Sequence, residues 1–276
     1  MKRAIYIFLI IIVLFVVVYF LMQASKPMPA KLGKAETEVQ PATSLCMNKI
    51  TDMLPVHMKA QDNEIVTHTA YTLSYSEKYE QAEWVIYMLT KGRVENKVCK
   101  RNDHFIEDED VASGSATPAD YKKSGYDRGH LCPAADMAWS ETTMRESFYM
   151  SNMSPQVQGF NRGIWKDLEE DVRRWAVEND SLWIVDGPIL TNIDQYIGAN
   201  RVGVPKKYYK LVFDFSQKDG YKAIAFVLPN QSSSANPMDF AITVDSLESL
   251  TGLNFFSKLP YNFIKTIECK IDKKAW

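Results

Sequence analysis

The sequence predicts an α+β domain, a mixed sheet core with packed helices, preceded by an N-terminal transmembrane helix. Three observations lead there. Several short runs are rich in branched and aromatic residues, one stretch within 151–180 repeats apolar residues every three or four positions, and Ile5–Met22 carries no charge. The first pattern fits strands, the second an amphipathic helix, the third a bilayer span.

The charge-free tract follows Met1-Lys2-Arg3 and at 1.5 Å per residue would reach about 27 Å. A signal peptide usually has a shorter apolar core and a small-x-small cleavage site, whereas Met22 is bulky. The tract therefore reads as an uncleaved signal-anchor over residues 1–24, with a cleaved signal as the alternative. Residues 25–45 contain Pro27, Pro29 and Pro41 among lysines, glutamates and small side chains, the composition of a solvated tether. Residues 46–276 fit one domain with enough length to bury a core.

Within that domain, Tyr71–Tyr75 and Trp84–Leu89 read as strands, and Lys91–Tyr126 as a polar loop whose acidic run Glu107–Asp110 is a solvated face. A strand resumes near His130. Glu141–Met150 reads as a short helix capped by Ser140. In 151–180, Ile164, Trp165, Leu168, Val172, Trp175 and Ala176 make one apolar helical face. Asn161, Trp165 and Glu169 fall on successive turns, with Asn161 and Glu169 ~12 Å apart along the axis. Leu182–Val185, Tyr209–Phe215 and Ala223–Leu228 read as strands backing this helix, and Asp245–Leu250 as a short helix capped by Asp245.

The formal net charge is −2, so any nucleic-acid binding needs a local basic groove rather than a global attraction. The four cysteines, Cys46, Cys99, Cys132 and Cys269, have no metal-site spacing. Behind an export signal they allow two disulfides in three pairings. Cys46–Cys269 would staple the domain ends and leave Cys99–Cys132, a pairing the sequence does not prove. Cys132 as a nucleophile beside His130 is a weaker alternative.

The stretch "SGYDRGHLCPAAD" (124–136) holds one of only four histidines. A turn needs its Gly and Pro but not its charges. His130 suits a general base, Gly129 permits close approach of a substrate, and Arg128 can donate charge-assisted bonds to phosphate oxygens. Asp127 can fix a turn or orient a neighbour. Asn152 and Asn161 offer hard oxygen ligands or hydrogen-bond anchors, and Glu169 is placed to accompany Asn161. A few oxygen ligands suit Mg²⁺, and a histidine base beside such a cation suits phosphodiester hydrolysis. Phe148, Tyr149, Trp165 and Trp175 read as core, and His57, His68 and His104 as structural or exposed. Lys122-Lys123 and Lys206-Lys207 read equally as groove or solvated loop.

The segments "YDRGHLCPAADM" (126–137), "ESFYMSNMSPQVQGFNRGIWKDLE" (146–169) and "KRNDHFIED" (100–108) resemble the DNA/RNA non-specific endonucleases, sugar-non-specific nucleases of the ββα-metal, His-Me finger class. The resemblance covers most of 65–265. It implies a ββα-metal motif and an endonuclease acting on DNA and RNA through the phosphate backbone, with Mg²⁺ as cofactor and Mn²⁺ as a substitute. It assigns His130 as base, Arg128 to the phosphate, Asn161 as direct metal ligand and Glu169 as a holder of metal-bound water. Asn152 would shape the site, and Arg101 matches a transition-state arginine. Arg173 is a further phosphate contact or a surface helix residue. The expected products carry 5′-phosphates. Cys132 departs from the family, where a small alanine is common. The apolar tract Ile5–Met22, separately, predicts an enzyme anchored in a membrane with its catalytic domain outside the cytoplasm, or secreted where the tract is cleaved. An inactive binding module with the same fold, or a DNA-preferring phosphodiesterase, are the competing readings.

Overall fold

The computed structural model describes residues 53–59, 61, 63–215, 221–259 and 261–276. The expected transmembrane segment 1–24, the tether 25–45 and Cys46 lie outside them. Among the described residues no helix is long and apolar enough to cross a membrane.

Among the described residues, thirteen strands follow in chain order: β1 (Val56–His57), β2 (Glu64–Thr67), β3 (Tyr71–Ser76), β4 (Gln81–Thr90), β5 (Asp127–His130), β6 (Met153–Gln156), β7 (Ser181–Pro188), β8 (Tyr196–Ile197), β9 (Val202–Gly203), β10 (Lys207–Asp214), β11 (Lys222–Pro229), β12 (Ala241–Ile242) and β13 (Leu253–Asn254). Seven form the main sheet in the order β12-β11-β10-β7-β4-β3-β2. Each neighbouring pair runs antiparallel, so the fold is α+β as expected, though no parallel pair makes the sheet mixed. Adjacent strands β4 and β7 are separated in the chain by all of 91–180. The segments with the candidate chemistry are thus one long insertion between two central strands.

The long helix Trp165–Glu178 buries the predicted stripe, with Trp165, Leu168, Val172, Trp175 and Ala176 inside. It packs on the sheet face carrying Tyr87, Ile184, Tyr208, Val212 and Phe226. Trp175 stacks on Phe226 at 6.1 Å, and Phe160 stacks on Tyr208 at 5.3 Å. Each such side chain taken out of water contributes roughly 1.5–3 kcal/mol. Across the sheet, Tyr209 meets Phe255 and Phe213 meets Phe256 edge-on. Both faces are covered, which is why the central strands read as continuous apolar runs rather than alternating ones.

Several boundaries differ from expectation. Residues 153–156 leave the helical pattern to form β6, because their backbone pairs with β5. The helical course starts at Phe160 as a wide turn, and Gly163 departs from helical angles (φ −109°, ψ −118°). The break shifts the phase, so Trp165 enters the core while Asn161 stays at the surface. Ser140 precedes the helix Glu141–Glu146 without a side-chain cap. The helix Val244–Thr251 is capped by Thr243, whose hydroxyl accepts from the Ser246 amide, rather than by Asp245. The stretch read as loop contains a one-turn helix, Pro118–Tyr121, closed by reciprocal Thr117 and Asp120 bonds.

The acidic run is not wholly solvated. Asp108 is 1% exposed, accepting from Ser151 and lying 2.9 Å from the His68 ring nitrogen Nε2. His68, Asp108 and Asp110 cluster closely enough to suggest a cation site, but His68 and Ser151 already occupy Asp108. That makes it a packing network joining the β2–β3 turn to the insertion.

The proposed Cys99–Cys132 disulfide is not formed, and both thiols are free. Cys132 is buried in the main core. Cys99 packs on the separate cluster of Ala134, Ala138, Met144 and Phe148, where its thiol donates to the carbonyls of Ala138 and Ser140. Cys269 is an exposed free thiol, and its predicted partner Cys46 lies outside the described residues.

Candidate active site

The hairpin β5–β6 places the D-R-G-H residues. Gly129 faces Ser154 across the ladder, and a Cβ on Gly129 would lie 2.1 Å from the side chain of Gln156. Gln156 is fully buried, so a larger residue at 129 would have to displace a packed side chain. Close approach here is between two strands of the protein, a role not foreseen when Gly129 was read as making space for substrate.

Beside the hairpin lies a cleft of about 490 Å³, whose walls include Arg101, Phe105, Asp127, Arg128, His130, Asn161, Arg162, Lys166, Glu169 and Arg173. Five of the six sequence-predicted residues therefore meet in one place, from three segments distant in the chain. The sixth, Asn152, does not reach the cleft. It is fully buried, accepts from the Cys132 amide at 2.8 Å and donates to the carbonyls of Cys132 and Ser147. Its backbone carbonyl takes the Leu131 amide. Asn152 thus ties down the chain directly after His130 from outside the cleft lining.

His130 is held by aromatic rings rather than by hydrogen bonds. Phe148 meets its imidazole edge-on at 4.9 Å, Phe105 tilts against it at 5.8 Å, and the two phenyl rings touch each other at 5.0 Å. Nε2 is buried with no hydrogen-bond partner. Burial, then the positive charges of Arg101 and Arg128, push the imidazole down to about 3. It is neutral at physiological pH, the form that accepts a proton.

The two arginines lie over the same rings, Arg128 at 3.9 Å from the centre of Phe105 and Arg101 at 5.0 Å from that of Phe148. Such stacking fixes the plane of a guanidinium without consuming its donors. Arg101 also binds Asp103 at 2.6 Å, whereas Arg128 has no acidic partner among the described residues. Phe105 went unnoticed in the sequence. Its signal was its position between Arg101 and the buried Asp108, which only the fold makes meaningful.

On the opposite wall, Asp127 accepts from the Asn161 amide at 3.0 Å and pairs with Arg162 at 2.9 Å. The amide is thereby oriented, and the Asn161 side-chain oxygen has no donor among the described residues. Glu169 is half-buried, and burial pushes its carboxyl up to about 8 despite the pull of Lys210 and Arg173. Arg173 lines the cleft but is paired with Asp136 at 2.9 Å. An amide oxygen and a carboxyl lacking a bonded cation are the hard donors a small divalent cation takes, so these residues fit one. A Cys132 nucleophile does not fit. Its thiol lies in the core, and burial pushes it up, away from the reactive thiolate.

The family model for DNA/RNA non-specific endonuclease matches residues 50–262. A nuclease of Nostoc sp. is 33% identical over 252 residues, covering 86% of this chain and 89% of that protein. The mitochondrial endonuclease G of Homo sapiens is 32% identical over 205 residues, 70% of this chain and 69% of its own. Among solved structures, the crystal structure of the EndoG/EndoGI complex matches with a TM-score of 0.67 and 32% identity, over 73% of this chain and 89% of that one.

Proposed function

This chain belongs to the DNA/RNA non-specific endonuclease family, and from its cleft we propose that it is a Mg²⁺-dependent endonuclease cutting DNA and RNA to 5′-phosphate ends with little sequence preference. The observation that carries the reading is the neutral, unpartnered imidazole of His130 facing the same cleft as the unpaired guanidinium of Arg128 and the oxygens of Asn161 and Glu169.

In this reading His130 takes a proton from a water, whose oxygen forms the new bond to phosphorus as the bond to the 3′-oxygen breaks, and the departing 3′-oxygen takes a proton from a second water. Arg128 donates to non-bridging phosphate oxygens, and Arg101 adds charge as the pentacoordinate state develops. A divalent cation, held by Asn161 directly and by Glu169 through water, would supply Lewis-acid stabilisation of that charge, with Mn²⁺ as a substitute. Asp127 orients the Asn161 amide, and Asn152 keeps the turn after His130 in place. Contacts made to phosphate rather than to base edges carry no sequence information, which supports broad substrate use.

The charge-free tract Ile5–Met22 supports a domain tethered outside the cytoplasm, which fractionation of tagged protein checks. For the activity, purified protein is given plasmid DNA and structured RNA with Mg²⁺, with Mn²⁺ and with chelator. Both substrates should be cut when metal is present, and His130→Ala should lower the rate by at least 10²-fold, the lower range for a general base. Equal turnover by that variant would sink the mechanism.

A further inference from the structure

We propose that the reaction cleft continues into a second binding site for the same polynucleotide strand, where Lys122 receives a phosphodiester neighbouring the one being cut. The proposal rests on the nuclease reading and adds the path of the substrate. Next to the cleft is a hollow of about 410 Å³ whose walls include Tyr121, Lys122, Tyr126, Asp127 and Arg128. Asp127 and Arg128 also line the cleft, so the two spaces meet at the start of β5.

Charge accounting singles out this route. Around the cleft, Arg101 is paired with Asp103, Arg162 with Asp127, Lys166 with Glu170 and Arg173 with Asp136. Arg128 and Lys122 enter no ion pair among the described residues. Arg128 lines both spaces, and Lys122 lines the hollow alone. A cation without a protein partner is the one able to exchange its counterion for a phosphate.

The hollow is also built to keep its shape. Lys123 and Gly125 both take left-handed backbone angles (φ 60° and 87°), and between them the Ser124 hydroxyl donates to the Tyr121 carbonyl and accepts from the Tyr126 amide. This fixes the turn that presents Lys122. The Tyr126 hydroxyl is engaged by Gln195 at 3.0 Å, anchoring a half-buried ring whose face can take a sugar or base by sequence-tolerant stacking. Tyr121 is 5% exposed, and its hydroxyl has no partner, a polar group for which the surrounding protein provides nothing.

The test compares kcat/KM for a 12-nucleotide single strand with kcat/KM for bis(p-nitrophenyl) phosphate, which is too small to leave the reaction cleft. In Lys122→Ala the ratio should fall roughly five- to tenfold through KM, and the slope of log KM against log salt should flatten by about 0.7. Lys122→Arg should restore both. Lys122 is exposed, so its replacement does not threaten folding. A wild-type ratio and slope in Lys122→Ala, with the wild type cutting both substrates, would overturn the second site and leave the nuclease reading standing. Failure of the wild type to cut either substrate would overturn both.

Discussion

His130 illustrates how strongly a residue's chemistry depends on neighbours the chain brings from elsewhere. The three rings of the His130–Phe105–Phe148 group, meeting edge-on or tilted, and the guanidinium groups of Arg101 and Arg128 over two of them form one packed unit. The unit keeps the imidazole neutral by burial and by repulsion of its proton. Glu80, outside the cleft, shows the same physics acting on stability. Burial, then the charge of Glu77, raises its carboxyl to about 7 from the usual 4.5. The folded state thus holds a proton that the unfolded chain has already lost between these values, so stability declines as pH rises from about 4.5 to about 7. Glu80→Gln keeps an acceptor for the Tyr75 hydroxyl and removes the titration. Thermal unfolding should give a higher Tm than wild type at pH 8 and nearly the same Tm at pH 4; equal values at both would refute the account. Nothing at residue scale in the sequence foretold this, since Glu80 is an ordinary turn glutamate until Tyr75 and Glu77 are set beside it.

At the scale of elements, the site is a hairpin facing a helix start. The sequence located both, because D-R-G-H marks a bend and because the stripe Trp165–Ala176 is unambiguous. It misplaced the join between them. Local periodicity carried the helix back to 151, whereas β6 exists only because β5, far off in the chain, supplies hydrogen-bond partners. Asn161 and Glu169 reach one cleft across the break at Gly163 rather than along one regular helix. The tightest point of the arrangement is Gly129. Gly129→Ala would drive a methyl into the Gln156 side chain and should destabilise the protein by about 1–3 kcal/mol, the usual cost of overpacking a filled site. Cleavage should fall along with Tm, as His130 follows Gly129 directly. A variant with wild-type Tm would show that the hairpin opens more freely than this packing allows.

Across the whole molecule, the antiparallel sheet is the platform and the insertion 91–180 supplies the walls of the cleft. Under the cleft, Lys210 and Asp186 face each other on β10 and β7, fully buried and ion-paired, with the ammonium 4.6 Å from the Trp165 ring. Burial pushes Asp186 up to about 7 against the pull of Lys210. Lys210→Met would leave a buried carboxylate without its partner and should cost about 3–5 kcal/mol at pH 8. At pH 5 the acid takes up a proton and the loss should shrink, and adding Asp186→Leu should recover most of it. Denaturant unfolding at the two pH values checks this, and a pH-independent loss would argue against it. By itself the sequence indicated the strand runs, the apolar face of the long helix, the family motifs and the candidates His130, Arg128, Asn161 and Glu169, since these rest on local periodicity and on short motifs. Only the tertiary structure decided that Asn152 lies outside the cleft lining, that Cys99 and Cys132 stay apart, and that Phe105 lines the cleft. Those depend on which distant segments share a core or a wall, and contacts of that kind leave no periodic trace in a single chain.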